Sequence, residues 1–131
     1  MKILIADDDF ISRQILKDIM KQFGECDVVV DGDEAVQAFR LAWEENDHYD
    51  LIFMDIMMPR MDGTQALKQI RAIEKENKIK GPDEVKVIMT TALNDPKTVI
   101  EAFYESRASS YILKPLTEDK IVEQMKSFGL I

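Results

Sequence analysis

Acidic residues recur in this chain at points where a short apolar run ends. Asp7, Asp8 and Asp9 follow the run Lys2–Ala6, and Asp55 follows a later apolar run. Carboxylate oxygens are the ligands that Mg²⁺ prefers, and a carboxylate can accept a phosphoryl group as a nucleophile. Clustered carboxylates repel one another unless a cation compensates their charge. The pattern therefore predicts phosphoryl transfer at an aspartate beside a Mg²⁺ site.

Polar residues also end two apolar runs in the second half of the chain. Thr91 comes at the end of one run, with Thr90 as an alternative hydroxyl, and Lys114 follows the run Ser110–Leu113. A lysine ammonium group offers a point charge to a phosphoryl oxygen, and a threonine hydroxyl offers a hydrogen-bond donor. These residue types suit the binding of a phosphoryl group.

The apolar runs alternate with segments of helical periodicity along the whole chain. Strands are predicted at Lys2–Ala6, Cys26–Val30, Leu51–Met54, Val85–Met89 and Ser110–Leu113. Helices are predicted from Phe10 to Phe23, from Thr64 onward, and after the N-caps Asp31, Asp95 and Thr117. Such alternation predicts an α/β fold, a doubly wound, five-stranded parallel sheet with five helices on its two faces. Ligands bind such sheets at the carboxyl ends of the strands, so the polar residues above should share one crevice.

Composition excludes several classes of protein. The 131 residues include 25 acidic and 17 basic side chains, for a net charge of −8, which disfavours direct nucleic-acid binding. Cys26 is the only cysteine, so an internal disulfide or a multi-cysteine zinc site cannot form. The absence of an apolar run of about 20 residues predicts no membrane insertion, and we expect a cytoplasmic protein. The single histidine, His48, is placed at the opposite end of the sheet from the acids, which excludes a Ser-His-Asp triad.

Four motifs in order resemble the receiver domain of two-component response regulators. They are the segment Ile3–Asp9, the segment Met54–Pro59 with Met61–Gly63, the pair Thr91-Ala92, and the segment Tyr111–Pro115. The resemblance covers essentially the whole chain, so we expect one receiver domain over residues 1–131 with no output domain. It implies the flavodoxin-like strand order 2-1-3-4-5.

The resemblance assigns a role to each matching acidic position. Asp55 would be the phospho-acceptor. Asp7 and Asp8 would hold Mg²⁺ together with Asp55 and the backbone carbonyl of Met57. Asp9 lies where the family varies, and we assign it a helix-capping role.

The remaining matching positions would bind and report the phosphoryl group. Thr91 and Lys114 would bind the phosphoryl oxygens, and the Lys114–Pro115 peptide bond would be cis. Tyr111 would be a switch aromatic that turns inward when Thr91 moves toward the phosphate, although a plain core role remains an alternative for Tyr111.

The implied function is a signalling switch and not an enzyme acting on a separate substrate. A sensor histidine kinase or phosphotransfer protein would donate the phosphoryl group, and a separate protein would read the surface of the fourth helix, fifth strand and fifth helix. The candidate contacts on that surface are Lys97, Glu101, Tyr104, Lys120 and Glu123. The chain would be a monomer or a phosphorylation-dependent dimer.

Two other readings stay open. The chain could be the receiver part of a larger DNA-binding regulator. An aspartate-nucleophile phosphatase is the weaker alternative, because such enzymes need a second carboxylate two residues after the nucleophile, where Met57 stands. A flavin carrier of the same fold is disfavoured, since three aspartates would repel the flavin phosphate.

Overall fold

Strands and helices alternate in the structure, a computed structural model that describes residues 1–92 and 96–131. The elements are β1 Lys2–Ala6, α1 Phe10–Met20, β2 Glu25–Val29, α2 Gly32–Glu44, β3 Leu51–Asp55, α3 Gly63–Glu76, a short 3₁₀ turn at Gly81–Asp83, β4 Lys86–Thr91, α4 Pro96–Ser106, β5 Ser110–Leu113 and α5 Glu118–Ser127. The predicted N-cap Asp95 lies outside the described residues. No described helix combines the length and apolarity needed to cross a bilayer.

The five strands form one parallel sheet in the order β2-β1-β3-β4-β5. This confirms the predicted α/β class and the flavodoxin-like strand order. In the register of the sheet, Ala6 lies beside Met54, Asp55 beside Thr90, and Thr91 beside Leu113. The carboxyl ends of the central strands are therefore level, and the residues that follow them lie at one edge.

Both faces of the sheet are covered by helices. Helices α2, α3 and α4 pack on one face through residues that include Phe39, Leu67, Ile70 and Ala102. Helices α1 and α5 pack on the other through residues that include Leu16, Met20, Ile121 and Met125. Burial on both faces explains why the central strands are continuous apolar runs. Each fully buried Leu, Ile or Phe contributes about 1.5–3 kcal/mol relative to an exposed one.

Four helices begin at a side chain that accepts a hydrogen bond from the backbone N–H three residues further on. The capping residues are Asp9, Asp31, Asp62 and Thr117. Each such cap stabilises the helix by about 1 kcal/mol. The predicted capping roles of Asp9, Asp31 and Thr117 are confirmed.

Helix periodicity gave a wrong result at the edges of two buried stripes. The spacing of Val99, Ile100 and Phe103 predicts an apolar stripe on α4, but Ile100 is 46% exposed, whereas Val99 is buried. In α1, Leu16 and Met20 are buried, and the helix ends at Met20 instead of Phe23. The sheet covers only part of each helix circumference, so an apolar residue one position from the central stripe can remain in water.

The polar composition of Glu74–Lys80 predicts a solvated helix end and loop, but Glu74 is buried and forms an ion pair with Arg71. Arg71 Nη1 donates to Glu74 Oε1 at 2.7 Å and to the carbonyl of Val85 at 2.9 Å. Glu74 Oε2 accepts from the backbone N–H of Val85 at 2.7 Å. Arg71 also donates to the carbonyl of Arg107 from Nε and Nη2. The pair thus joins α3 to the start of β4 and to the end of α4.

Replacement of Glu74 should reveal the contribution of this pair. We expect Glu74→Gln to lower the free energy of unfolding by roughly 2–4 kcal/mol, because the guanidinium of Arg71 stays buried without its counter-charge. The matched control is Glu76→Gln on the same helix, at an exposed position, with an expected change below about 0.5 kcal/mol. Urea unfolding of both variants measures the difference, and equal effects would contradict the assignment.

Candidate functional site

Three carboxylates meet at the carboxyl ends of β1 and β3. Oxygen atoms of Asp7, Asp8 and Asp55 lie within 4.8 Å of one another. Asp7 is fully buried, Asp55 is 5% exposed, and Asp8 is open to solvent. The structure thus brings together the three side chains that the sequence predicted as neighbours, although 47 positions separate Asp8 from Asp55.

Lys114 supplies the positive charge beside these carboxylates. Its position directly after β5 places Nζ 3.1 Å from Asp7 Oδ2 and 3.4 Å from Asp55 Oδ2. It donates a hydrogen bond to Asp55. The Lys114–Pro115 peptide bond is cis, as the resemblance implied.

The crowding perturbs the protonation of the central carboxylate. Burial, and then the negative charge of Asp7, raise the pKa of Asp55 to about 7, and Lys114 only partly opposes this shift. Burial lowers the pKa of Lys114, but its contacts with Asp7 and Asp55 outweigh this effect, so the pKa is raised. Asp7 and Asp55 therefore share one ammonium group, Asp8 lies beside them, and a divalent cation fits the remaining negative charge.

Two threonine hydroxyls lie at the neighbouring strand end. Thr91 is the last residue of β4 and is buried, and its carbonyl accepts from the backbone N–H of Lys114 at 2.8 Å. Thr90 pairs with Asp55 in the sheet, and its carbonyl accepts from the backbone N–H of Ile56 at 3.0 Å. The end of β4 is thereby hydrogen-bonded to the segments that carry both Asp55 and Lys114.

The loop after Asp55 folds back tightly onto the strand. The backbone N–H of Gly63 donates to the carbonyl of Ile56 at 2.8 Å. A Cβ atom at position 63 would lie 2.1 Å from the carbonyl oxygen of Asp55. Only glycine allows this approach, so the type of residue 63 helps to fix the backbone of the candidate nucleophile.

A second glycine and an ion pair hold the middle of the same loop. The backbone N–H of Gly32 donates to the carbonyl of Met61 at 3.0 Å, and a Cβ at position 32 would lie 2.2 Å from that oxygen. Arg60 Nε donates to the buried carboxylate of Asp31 at 2.8 Å. Met57 follows Asp55 by two residues in this loop, and its side chain is 61% exposed.

Tyr111 on β5 points outward in this structure. Its side chain is 40% exposed, and its ring lies edge-on to Phe103 with a centroid distance of 6.0 Å. The alternative of a plain core residue is therefore wrong for this conformation. The switch role of Tyr111 stays a prediction.

Sequence reasoning missed an apolar surface beside the site, which we call the α1 patch. It consists of Phe10, Ile11 and Ile15, which are 65%, 66% and 41% exposed. Helical periodicity assigned Ile11 and Ile15 to an apolar stripe, yet the sheet covers the neighbouring stripe of Leu16 and Met20. The sequence did contain one signal for this surface, because Phe10 and Ile11 directly follow the acidic run Asp7–Asp9.

His48 and Cys26, for which the sequence predicts a structural role and, for Cys26, a buried one, lie away from the acids. His48 precedes β3, at the amino end of the strands, and its ring stacks on Trp43 with a centroid distance of 3.5 Å. Cys26 lies in the edge strand β2 and is half-buried, so it is less buried than predicted.

The sequence of the chain matches a known protein family over nearly its whole length. The family model of the response regulator receiver domain matches residues 3–126. The chain is 34% identical over 122 residues to the chemotaxis protein CheY of Bacillus subtilis, covering 93% of this chain and 92% of that protein. It is 36% identical over 129 residues to hybrid signal transduction histidine kinase L of Dictyostelium discoideum, covering 98% of this chain but only 7% of that protein.

Solved structures with the same fold include two with signalling partners. A CheX-CheY-BeF3-Mg²⁺ complex from Borrelia burgdorferi contains a chain that superposes with a TM-score of 0.82 at 29% identity, covering 98% of this chain and 89% of that one. A complex of the phosphotransfer protein Ypd1 with the receiver domain of Ssk1 from Saccharomyces cerevisiae also gives a TM-score of 0.82, at 28% identity over 98% of this chain and 88% of that one.

The raised pKa of Asp55 makes stability depend on pH in a defined direction. As pH rises from about 4 to 7, the unfolded chain loses the proton of this carboxyl, with an ordinary pKa of 3.8, before the folded chain does. The free energy of unfolding therefore decreases across this range, and the decrease is complete above pH 7. We expect Asp55→Asn, without divalent cations, to raise the free energy of unfolding by roughly 1–2 kcal/mol at pH 8 and to change it little at pH 4.

Urea unfolding at both pH values measures this effect. Asp18→Asn, which removes an exposed carboxylate on α1, serves as the control and should show no such pH dependence. A constant difference between wild type and Asp55→Asn from pH 4 to pH 8 would contradict the raised pKa.

Proposed function

Because the chain belongs to the response regulator receiver domain family, we propose that it is a phosphorylatable switch in which Asp55 accepts a phosphoryl group from a histidine kinase or phosphotransfer protein. The observation that carries the proposal is the meeting of Asp7, Asp8 and Asp55 with Lys114 at one edge of the sheet. Crowding of carboxylates costs folding free energy, and a role in binding a cation and a phosphoryl group would explain it.

The chain's own residues provide the steps of the transfer. A carboxylate oxygen of Asp55 attacks the phosphorus atom, an O–P bond forms, and the bond from phosphorus to the donor nitrogen breaks. Lys114 places a positive charge beside the oxygens of the transferred group. Thr91 offers its hydroxyl to one of those oxygens, which would draw the end of β4 toward the phosphorylated side chain.

The acidic cluster fits a Mg²⁺ ion. Asp7, Asp8 and Asp55 would hold it with the backbone carbonyl of Met57, and all four are oxygen donors. Asp7 Oδ2 is buried and, among the described residues, has no well-aligned hydrogen-bond donor, although Lys114 Nζ lies 3.1 Å away. When bound, Mg²⁺ would neutralise charge on the carboxylates and on the incoming phosphoryl group. The Borrelia complex named above contains Mg²⁺, which supports this choice of cation.

A switch is favoured over a phosphatase acting on separate substrates. Met57 stands two residues after the candidate nucleophile and cannot act as a general acid or base. The chain would therefore change its own phosphorylation state and turn over no other compound.

The α1 patch fits the role of docking surface for the phosphoryl donor. Phe10 and Ile11 begin the helix that follows the acidic run, so a protein seated on them would hold a histidine near Asp55. Burial of these exposed apolar side chains would supply binding free energy that the acidic surroundings cannot. The complex of Ypd1 with a related receiver domain supports a phosphotransfer protein as donor.

The output surface would be formed by α4, β5 and α5. Ile100 and Tyr104 on α4 are 46% and 75% exposed, and Tyr111 and Leu113 on β5 are 40% and 43% exposed. Inward rotation of Tyr111 would change the shape of this surface. A separate downstream protein would read that change.

Intact mass after incubation with acetyl phosphate and Mg²⁺ tests the phosphorylation itself. We expect one phosphate on the wild type and on Asp18→Asn, which keeps the site complete. Asp55→Asn should gain none, and chelation of Mg²⁺ should abolish the adduct on the wild type. An adduct that persists on Asp55→Asn, or none on the wild type, would contradict the proposal.

Transfer from a protein donor tests the docking surface separately. We expect the double variant Phe10→Ser, Ile11→Ser to accept phosphate about tenfold more slowly from a histidine kinase that labels the wild type, since two apolar contacts are lost. Its reaction with acetyl phosphate should be unchanged. The matched control Ile100→Ser, Tyr104→Ser alters α4 instead, and an equal slowing in both variants would argue against the α1 patch.

A further inference from the structure

A cavity of about 420 Å³ lies at the end of the sheet opposite to the carboxylates. The residues that line it come from three segments, namely the end of α3, the loops on either side of the 3₁₀ turn, and the residue after α4. They are Arg71, Lys75, Lys78, Ile79, Lys80, Glu84 and Arg107. We call this feature the basic cavity, since five of its seven lining residues are cationic. A volume of this size is typical of small-molecule sites.

The acidic groups at the basic cavity compensate two of these cations and leave three. Glu74, behind the wall, pairs with Arg71, and Glu84 pairs with Arg107 at 2.9 Å. Lys75, Lys78 and Lys80 make no ion pair with any residue that the structure describes. All three are exposed. The basic cavity therefore keeps about three positive charges in a chain whose net charge is −8.

Lysines near the end of a helix can be explained in part by the helix dipole. Lys75 in the last turn of α3 stabilises that helix in this way. Lys78 and Lys80 lie beyond the helix, where the dipole effect fades, and need another explanation.

The backbone at the basic cavity adds an independent observation. Lys78 and Arg107 both have φ of 60°, and each follows the end of a helix, where glycine is the usual residue. In both places the chain puts a long cationic side chain in a left-handed conformation. Asn46 after α2 has a similar φ of 55°, so this helix ending recurs in the fold, and at the basic cavity it sets where two cationic side chains leave the backbone.

The net negative charge of the chain does not prevent an anion from reaching this surface. At physiological ionic strength, screening reduces interactions beyond about 8 Å, so local charges dominate close to the surface. The carboxylates of the phosphorylation site lie beyond the other ends of the strands. Ile79 is half-buried and gives the basic cavity an apolar side.

We propose that the basic cavity binds a small polyanion carrying two or more phosphate groups, such as a nucleoside polyphosphate or an inorganic polyphosphate. Three uncompensated lysines at separate positions match several phosphate groups better than one. This site is independent of phosphorylation at Asp55.

Calorimetric titration of the full chain tests the proposal, first with tripolyphosphate and separately with ATP. The buffer contains a chelator, so that no metal bridges the ligand to Asp7 or Asp8. We expect both to bind the wild type, and the double variant Lys78→Gln, Lys80→Gln to bind at least about tenfold more weakly, because each charged contact to an anion is worth about that factor. The matched control Lys17→Gln, Lys21→Gln removes the same charge from exposed positions on α1 and at its C-cap, and should change affinity less than about twofold. Binding of ATP alone would still support the site and would assign part of the affinity to the nucleoside.

Amide NMR shifts give a second readout. We expect the ligand to shift the amide signals of residues 75–80, 84 and 107, and to leave those of residues 7, 8 and 55 unchanged. Three results would overturn the proposal: no binding at millimolar ligand, equal loss of affinity in both double variants, or binding of a short single-stranded RNA without binding of either phosphate compound. Each is distinct from a failure of phosphorylation at Asp55, which the mass measurement reports.

Discussion

Two buried carboxylates that share one ammonium group set the main constraint on this molecule. Asp7 and Asp55 are held out of water at positions where their charges repel, and Lys114 compensates only part of that repulsion. Such an arrangement persists only if the surrounding structure prevents the groups from moving apart. The level strand ends, the two apolar cores and the tightly folded loop after β3 supply that restraint. The fold therefore keeps these like charges close together, and the chemistry of the site depends on that restraint.

The parts that could be predicted from sequence depend on local signals. Strands buried on both faces are continuous apolar runs, and N-caps such as Asp31 and Thr117 make short-range hydrogen bonds. Both features can therefore be predicted from the sequence. The site followed from one general rule, that the carboxyl ends of parallel strands meet. The buried pair of Arg71 and Glu74 was not predictable, because its backbone partners, Val85 just before β4 and Arg107 just after α4, come from later segments of the chain. Periodicity also placed Ile100 inside, because it cannot tell the centre of an apolar stripe from its edge.

Charge is distributed unevenly between the two ends of the sheet. The carboxylates lie where the strands end, whereas Lys75, Lys78 and Lys80 lie near where β4 begins. The net charge of −8 sums over the whole chain and does not show that the acidic and basic groups lie at opposite ends of the sheet. Helix α4 adjoins two of these surfaces. Arg107, just after the helix, lines the basic cavity. Tyr104, on the outer side of the helix, belongs to the proposed output surface. The basic cavity and the proposed output surface therefore adjoin the same helix.

The order of the site residues along the chain has a consequence for a protein that is still being made. Asp7 and Asp55 leave the ribosome long before Lys114, which directly follows β5, the last strand of the sheet along the chain. An incomplete chain therefore holds its acids without the lysine and without the edge of β4 covered by β5. The ability to accept a phosphoryl group would arise in one step, when β5 pairs. Nascent chains would then not compete with finished ones for the donor.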